Sequence, residues 1–280
     1  MPTSRREGRR RWMSWTTTFA IGVLAMTTVG TRGTRAAGTP AAVAAALRGD
    51  LQWFTDAELA HDEATLMVML NREDGDHGLN ALGAAVTVDN EDLAKRILAL
   101  GGDAEAEDHD GHTPLHRAVV TGKLNMIRLL KEHGVDVKQV ARDGFAPLHR
   151  ASWGSSEARA EIVRFLVREC EEDVDRLDVH GLTAAFRAVD HGNVFMLKVL
   201  IELGADVNFS NKRGDSMLAT AVRKQNVEIV QALLDANADV TKEDSKGRNL
   251  RKLAKQLRSK KVLDLISQAY ASATSSGAEL

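Results

Sequence analysis

The side chains best suited to chemistry lie in one short stretch rich in acidic residues and histidine, which contains Asp108, His109, Asp110, His112 and His116. Imidazole and carboxylate groups bind zinc when three or four of them converge on one point. A calcium loop needs acidic residues at fixed offsets around its glycine, and this stretch lacks them. Because Asp110-Gly111 predicts a tight turn, we expect most of these groups to lie at a turn tip, and we predict no metal site.

Nucleophilic and cofactor-dependent catalysis find no support in the sequence. It contains no Gly-x-Ser-x-Gly, no His-Glu-x-x-His, no phosphate-binding Gly-x-x-x-x-Gly-Lys-Ser/Thr and no dinucleotide-binding glycine pattern. The single cysteine, Cys170, lies between Glu169 and Glu171, whose charges disfavour a reactive thiolate. We therefore predict a non-catalytic protein without a cofactor or a small-molecule substrate. An enzyme with an unrecognised site is the alternative.

The charge of the chain limits the kinds of partner it can have. A formal net charge of -2 argues against a general nucleic-acid binder. Basic residues nevertheless cluster near the C-terminus, at Lys246, Arg248, Arg251, Lys252, Lys255, Arg258, Lys260 and Lys261. We interpret this run as the solvated face of a terminal structural unit. Contact with nucleic acid, acidic protein or anionic lipid is the alternative.

One unit of turn, helix, turn and helix explains how residues 108–138 are organised. Asp110-Gly111 forms the turn, and Thr113-Pro114 begins the first helix, where the missing N–H of proline costs nothing. Gly122 separates this helix from a second one, whose apolar stripe has helical spacing, and Gly134 ends the second helix.

The unit recurs along the chain with a nearly constant period. The turn glycines are Gly78, Gly111, Gly144, Gly181, Gly214 and Gly247, spaced by 33, 33, 37, 33 and 33 residues. A fixed period of this size is typical of a solenoid, in which each unit buries its apolar face against its neighbours. We predict an all-α solenoid of helix-turn-helix units with short hairpin turns between repeats.

Two motifs resemble those of the ankyrin repeat family. Thr113-Pro114-Leu115-His116 is similar to the family signature, and Gly204-Ala205-Asp206-Val207-Asn208 matches its unit ending. The resemblance covers roughly residues 78–265, or about six repeats. It implies a scaffold that binds a protein partner, and it places His116 and His149 at a structural histidine position. In repeat five, Asn237 replaces the terminal glycine, since asparagine also tolerates a left-handed backbone.

The segments outside the repeats divide the chain further. Residues 1–37 contain a basic region, an apolar run and small residues, in the order of an export signal. We expect an exported protein, periplasmic or secreted, while an uncleaved membrane anchor and organellar targeting are alternatives. Residues 38–76 are predicted to form an irregular N-terminal helical cap, residues 77–271 the repeat array, and residues 272–280 a disordered tail. Membrane contact is expected only through an uncleaved leader.

Repeat three is longer than the others. It gains three residues around 153–160 and one near 170–172, which accounts for the interval of 37 residues. Insertions in solenoids map to loops, so we expect a bulge between the two helices of this repeat.

The resemblance to ankyrin repeats places variable residues at turn tips and first-helix ends, on a concave groove. The apolar residues at these positions in repeats two to four are Val120, Phe145, Trp153 and Leu182. Aromatic anchors of this kind dominate interface energies. A charged rim is predicted from Asp190, His191, Arg223 and Lys224. We expect a monomer that binds one protein partner here, unless the insertion of repeat three buries Trp153. A second hypothesis is an exported accessory or stabiliser of an envelope enzyme.

Overall fold

The computed structural model describes residues 40–61 and 63–276. The predicted leader therefore lies outside the described residues, as does the end of the tail, residues 277–280. No helix within the described ranges has both the length and the apolar composition needed to cross a membrane.

Fifteen α-helices occupy the described part of the chain. They are α1 (Ala41–Leu47), α2 (Leu51–Ala60), α3 (Glu63–Asn71), α4 (Ala81–Thr87), α5 (Glu91–Ala99), α6 (Pro114–Thr121), α7 (Leu124–Glu132), α8 (Pro147–Ala151), α9 (Glu157–Arg168), α10 (Ala184–His191), α11 (Val194–Glu202), α12 (Met217–Lys224), α13 (Val227–Asp235), α14 (Leu250–Gln256) and α15 (Lys260–Ser276). Within the described ranges, the one β-type pairing is an isolated bridge between Ser210 and Ser216. The predicted all-α solenoid is confirmed.

The helices form two layers. The first layer holds the first helix of each unit (α1, α4, α6, α8, α10, α12 and α14), and the second layer holds its partner (α2, α5, α7, α9, α11, α13 and α15). Equivalent helices of neighbouring units pack side by side, although the short α8 packs mainly against α6 and α9. Close packing in the first layer is possible because it is rich in alanine, as at the fully buried Ala84, Ala118 and Ala151.

The repeated turns adopt one backbone conformation. All six turn glycines have a positive φ, between 66° and 82°. At Gly144, a Cβ atom would also lie 2.9 Å from the Cβ of Val179, which belongs to the hairpin of the next repeat. The glycine is therefore needed both for its backbone and for the close approach of that hairpin. Asn237 has a φ of 60°, in agreement with the expected left-handed conformation at the end of repeat five.

The N-terminal segment contains a helix pair of its own. Helices α1 and α2 are separated by Gly49, and the Asp50 carboxylate caps α2 by accepting the backbone N–H of Trp53 at 3.1 Å. Phe54 is fully buried, and α1 packs against α4 as a preceding repeat would. The irregularity lies in α3, which stands between this pair and the first turn glycine.

The C-terminal end is more ordered than the sequence indicated. Helix α15 runs to Ser276, so residues 272–276, assigned above to a disordered tail, are helical. Their composition of small and hydroxyl residues lacks an apolar stripe, which is why helical periodicity did not reveal them. Val262 and Ile266 are buried in the first half of α15, and the helix continues beyond them to Ser276.

Candidate functional site

Three arginines recur at one position of the first-helix layer. Arg117, Arg150 and Arg187 follow their turn glycines by six residues in repeats two, three and four, and all three side chains are largely buried. Arg117 pairs with the Asp108 carboxylate at 2.6 Å, and Arg187 Nε donates to Asp178 Oδ2 at 2.6 Å. The sequence reasoning missed this row, although the regular spacing from the glycines is a visible signal.

Repeat three departs from its neighbours in how its arginine is paired. The position held by Asp108 and Asp178 is Ala141 here, so Arg150 pairs instead with Asp143, a partly exposed residue on the turn. The guanidinium of Arg150 consequently lies 5.2 Å from the ring of Trp153 and 6.0 Å from that of Phe145. Cations at such distances are attracted to the negative face of an aromatic ring.

The predicted aromatic pair is brought together, but its two members differ in exposure. Phe145 and Trp153 have ring centroids 5.1 Å apart in an edge-to-face arrangement. Phe145 is only 4% exposed, because Trp153 and the side chains of Arg150 and Arg187 surround its ring, whereas Trp153 is 38% exposed. Phe145 is thus a support for Trp153 and offers little surface itself. The insertion of repeat three does not bury Trp153.

A half-buried arginine in the insertion connects the loop of Trp153 to repeat two. Compared with repeat two, α8 is shorter and α9 has an extra N-terminal turn, so the added residues lie partly in a helix and not only in a loop. From that turn, Arg159 donates hydrogen bonds to the carbonyl oxygens of Val120 and, at 3.0 Å, of Arg150. Burial lowers the pKa of the Arg159 guanidinium, which nevertheless remains charged at neutral pH.

Arg159 fits because its neighbour is a glycine. A Cβ atom on Gly154 would lie 2.0 Å from the Arg159 Cδ atom. Asn193 of the next repeat donates to the Gly154 carbonyl at 3.0 Å and fixes the loop from the other side. Loop residues around Trp153 are therefore held by polar contacts from both neighbouring units.

Val120 and Leu182 flank the aromatic pair in the neighbouring repeats. Both are half-buried. The Val120 carbonyl accepts a hydrogen bond from Arg159, and the Leu182 backbone N–H donates to Asp178 at 3.0 Å, next to Arg187.

The predicted charged rim is partly neutralised within the molecule. Lys224 Nζ lies 2.9 Å from Asp190 Oδ1, and it also donates to the Asp190 carbonyl at 2.6 Å. Arg223 pairs with Asp215 at 2.5 Å, while His191 is exposed. The rim therefore presents paired charges, which are suited to specificity more than to affinity.

The buried histidines have a structural role. The Nε2 atom of His116 lies 3.1 Å from the Gln139 carbonyl oxygen, and the Nε2 atom of His149 lies 2.9 Å from that of Arg176, so each connects a first helix to the following hairpin. Burial, followed by the nearby His112, lowers the pKa of His116 to about 4. Burial also lowers the pKa of His149. Both rings are neutral at pH 7.

One cluster with metal-ligand chemistry exists within the described ranges. Candidate ligand atoms of Asp108, Asp110 and His112 lie within 4.8 Å of one another. The Asp108 carboxylate is already engaged, because Oδ1 accepts two backbone N–H groups at 2.9 Å and Oδ2 lies 2.6 Å from Arg117. A cation would have to displace that arginine, so the group is better explained as a turn held by an ion pair.

Cys170 shows no sign of activation. It is a free and buried cysteine, and burial raises the pKa of its thiol. A raised pKa leaves little thiolate at neutral pH.

Comparison with known proteins decides the family. The model of the family described as "Ankyrin repeats (3 copies)" matches residues 82–178 and 148–244, more than half of the chain. The chain belongs to the ankyrin repeat family. Ankyrin repeats are protein-interaction modules, and the fold is in general a scaffold without catalytic activity.

The relatives and a solved structure agree with this assignment. The chain is 29% identical over 158 residues to neurogenic locus notch homolog protein 2 of Homo sapiens. This match covers 56% of this chain and 6% of that protein. It is 36% identical over 173 residues to the potassium channel AKT1 of Arabidopsis thaliana, over 52% of this chain and 20% of that protein. The ankyrin repeat domain of Bcl-3 has a TM-score of 0.67 at 22% identity, and covers 82% of this chain and 99% of that structure.

Ankyrin register explains three residues of the basic C-terminal run. Arg251, Lys252 and Lys255 are exposed in α14, one repeat after the buried Leu218, Ala219 and Val222. They therefore occupy positions that would face a following repeat, and they keep the open end of the stack in contact with water. Arg248 is different, because it donates to Asp244 at 2.6 Å. Burial raises the pKa of Asp244, but the hydrogen bonds from Arg248 outweigh burial and lower the pKa to about 2.

Proposed function

We propose that this ankyrin array binds a protein partner across the first-helix layer of repeats two to four, with Trp153 as the central contact. The observation that carries the proposal is the exposure of Trp153 on a rigid base. Its ring projects from a loop held by Arg159 and Asn193, and Phe145 and Arg150 support it from below. Trp and Arg are the residues most enriched at interface hot spots.

Rigidity supports the proposal energetically. A binding surface loses affinity when its side chains and loops must be ordered on association. Here hydrogen bonds from Arg159 and Asn193 already hold the loop, so little ordering is left for the binding step. One side of the Trp153 ring packs on the protein, and its exposed part is available to a partner. The charged rim of Asp190, His191, Arg223 and Lys224 would border this contact.

Replacing Trp153 with alanine should weaken partner binding by about 2 kcal/mol, or roughly 30-fold, because the main apolar contact is removed. The partner would be obtained by affinity purification from the native compartment, and its binding isotherm measured with the wild-type chain and with the variant. Phe195 provides a matched control, since it is a 37% exposed aromatic residue in the second layer. Phe195→Ala should bind as the wild type does. Equal binding by Trp153→Ala, with an unchanged circular dichroism spectrum, would remove Trp153 from the interface.

We also propose that the chain acts as a monomer after export. The leader supports this second part, because residues 1–11 contain five arginines ahead of an apolar run and a small-residue zone around Ala36-Ala37-Gly38. An accessory or stabilising role at an envelope enzyme would follow from such a location. Mass spectrometry of the protein expressed in its source should find a mature N-terminus close to residue 38. An intact Met1 in the exported fraction would favour an uncleaved anchor, and retention in the cytoplasm would refute export.

A further inference from the structure

The residue before each turn glycine changes its charge systematically along the array. These residues form what we call the tip row: His77, Asp110, Asp143, His180, Arg213 and Lys246. All six are exposed. From repeat two to repeat six the row runs from acidic through histidine to basic.

The two ends of the repeat array differ in charge in the same direction. Residues 41–110 contain 16 acidic and four basic side chains, whereas residues 211–261 contain 13 basic and six acidic ones. The array is therefore acidic at its N-terminal end and basic at its C-terminal end. Fields of this kind orient a charged partner before contact is made.

The cations at the basic end of the tip row are available to a partner. Lys212, Arg213 and Lys246 are exposed, and within the described residues their side chains make no ion pair. They differ in this from Arg223 and Lys224, which are paired with carboxylates. Lys212 lies over the turn of the preceding repeat, where its Cε atom is 2.4 Å from the position of a Cβ on Gly181.

We infer that the partner presents an extended polypeptide segment with an opposite charge order: basic beside Asp110, apolar at Trp153, and acidic beside Arg213 and Lys246. Asp143 contributes less than Asp110, because it is already paired with Arg150. This inference rests on the proposed function and adds the chemistry and the orientation of the ligand. Trp153 belongs to repeat three and so lies next to the middle of the row.

The spacing of the repeats sets the length of the segment. Neighbouring packed helices lie about 8 to 10 Å apart, so the four intervals between Asp110 and Lys246 span roughly 32 to 40 Å. An extended chain covers at most about 3.3 to 3.6 Å per residue. A segment of about 12 residues therefore reaches the whole row, with roughly three residues per repeat.

The charges of the tip row favour a polypeptide over a nucleic acid or an anionic bilayer. A nucleic acid carries negative charge along its whole length, and its phosphates would meet Asp110 and Asp143 at one end of the row. An anionic bilayer would be repelled by the same acidic half. A polypeptide can change sign from one end to the other and can place an apolar side chain between the charges.

A library of random peptides of about 16 residues, displayed on phage, tests the inference with the full chain as bait. Enriched sequences should contain basic residues, then a large apolar residue, then acidic residues, in one of the two chain directions. K212E/R213E/K246E should weaken a selected peptide by about tenfold or more, and the loss should shrink as salt is raised. K95E/R168E/K198E is the matched control, because it makes the same charge change at exposed residues of the second layer, and it should bind within about twofold of the wild type.

The possible results separate the two proposals. Peptides that need Trp153 but carry no charge order, or that bind K212E/R213E/K246E as tightly as the control, would overturn this inference and leave the proposed function standing. An absence of any enriched peptide, or indifference to Trp153→Ala, would overturn both. A labelled single-stranded oligonucleotide of about 20 nucleotides should not bind. Tight binding that K212E/R213E/K246E abolishes would assign the basic end to nucleic acid instead.

Discussion

Replacing Asp178 with alanine should lower the free energy of unfolding by about 3 to 5 kcal/mol, because a buried cation would be left without its partner. Asp178 Oδ2 accepts from Arg187 Nε at 2.6 Å, and Oδ1 accepts the backbone N–H groups of His180 and Leu182 at 2.8 and 3.0 Å. Burial raises the pKa of this carboxyl group, but these hydrogen bonds outweigh burial and lower it overall. One substitution thus removes an ion pair and the side-chain acceptor for the backbone of a turn. Urea unfolding monitored by circular dichroism measures the loss.

Two further variants identify the origin of this effect. Asp143→Ala removes the partner of Arg150, whose side chain is as buried as that of Arg187, but Asp143 itself is 40% exposed. Water can take the place of this carboxylate beside the guanidinium, so the loss should be smaller than for Asp178→Ala. In Asp178→Ala/Arg187→Met, no buried charge is left unpaired, and part of the stability should return. If Asp178→Ala is no more harmful than Asp143→Ala, the buried pair does not stabilise the array.

Acid should destabilise the protein well before its carboxylates are protonated. His116 has a pKa of about 4 in the folded chain, against 6.5 for an exposed histidine. Between these values the unfolded chain binds a proton that the folded chain does not. The free energy of unfolding therefore decreases as the pH is lowered. The effect is absent above pH 6.5, grows as pH falls towards about 4, and reaches about 3 kcal/mol for this group alone. His112 and His149, whose pKa values are also lowered, add to it.

Urea unfolding at several pH values between 7 and 4.5 tests this expectation, since the pKa values of the paired Asp178, Asp215 and Asp244 are lowered and these carboxylates keep their charge in that window. His116→Gln should flatten the pH dependence while lowering stability at pH 7, because glutamine has no proton to gain. His61→Gln is the control, since His61 is exposed, and it should leave the slope unchanged. A wild-type midpoint that does not move between pH 7 and 4.5 would contradict the assignment.

The regular features of the fold were predictable from the sequence. The turn glycines, with their constant spacing, mark positions where the backbone is left-handed, and Asn237 takes that role where glycine is missing. The first helices are short and rich in alanine, and Pro114 and Pro147 mark their starts. These features depend on local chemistry, which a single sequence displays directly.

The candidate site was predicted less completely. Turn and helix-end positions correctly brought Phe145 beside Trp153, but they did not reveal that one ring is buried beneath the other. The burial of Phe145 depends on Arg150 and Arg187, which come from different repeats, and helical periodicity marks such arginines as exposed. Nor does the sequence indicate that Arg159 reaches back to Val120, since that contact follows from the extra turn of α9.

The placement of Arg159 has a consequence for how this scaffold could change its target over evolution. Its two carbonyl partners belong to successive repeats, and one of them, the Arg150 carbonyl, lies three residues before Trp153. A substitution at Arg159 or Gly154 would therefore move the exposed indole without altering the indole, the tip charges or the stacking of the other units. Related chains can diverge in specificity through this one insertion, and the remaining repeats are free to preserve solubility and stability.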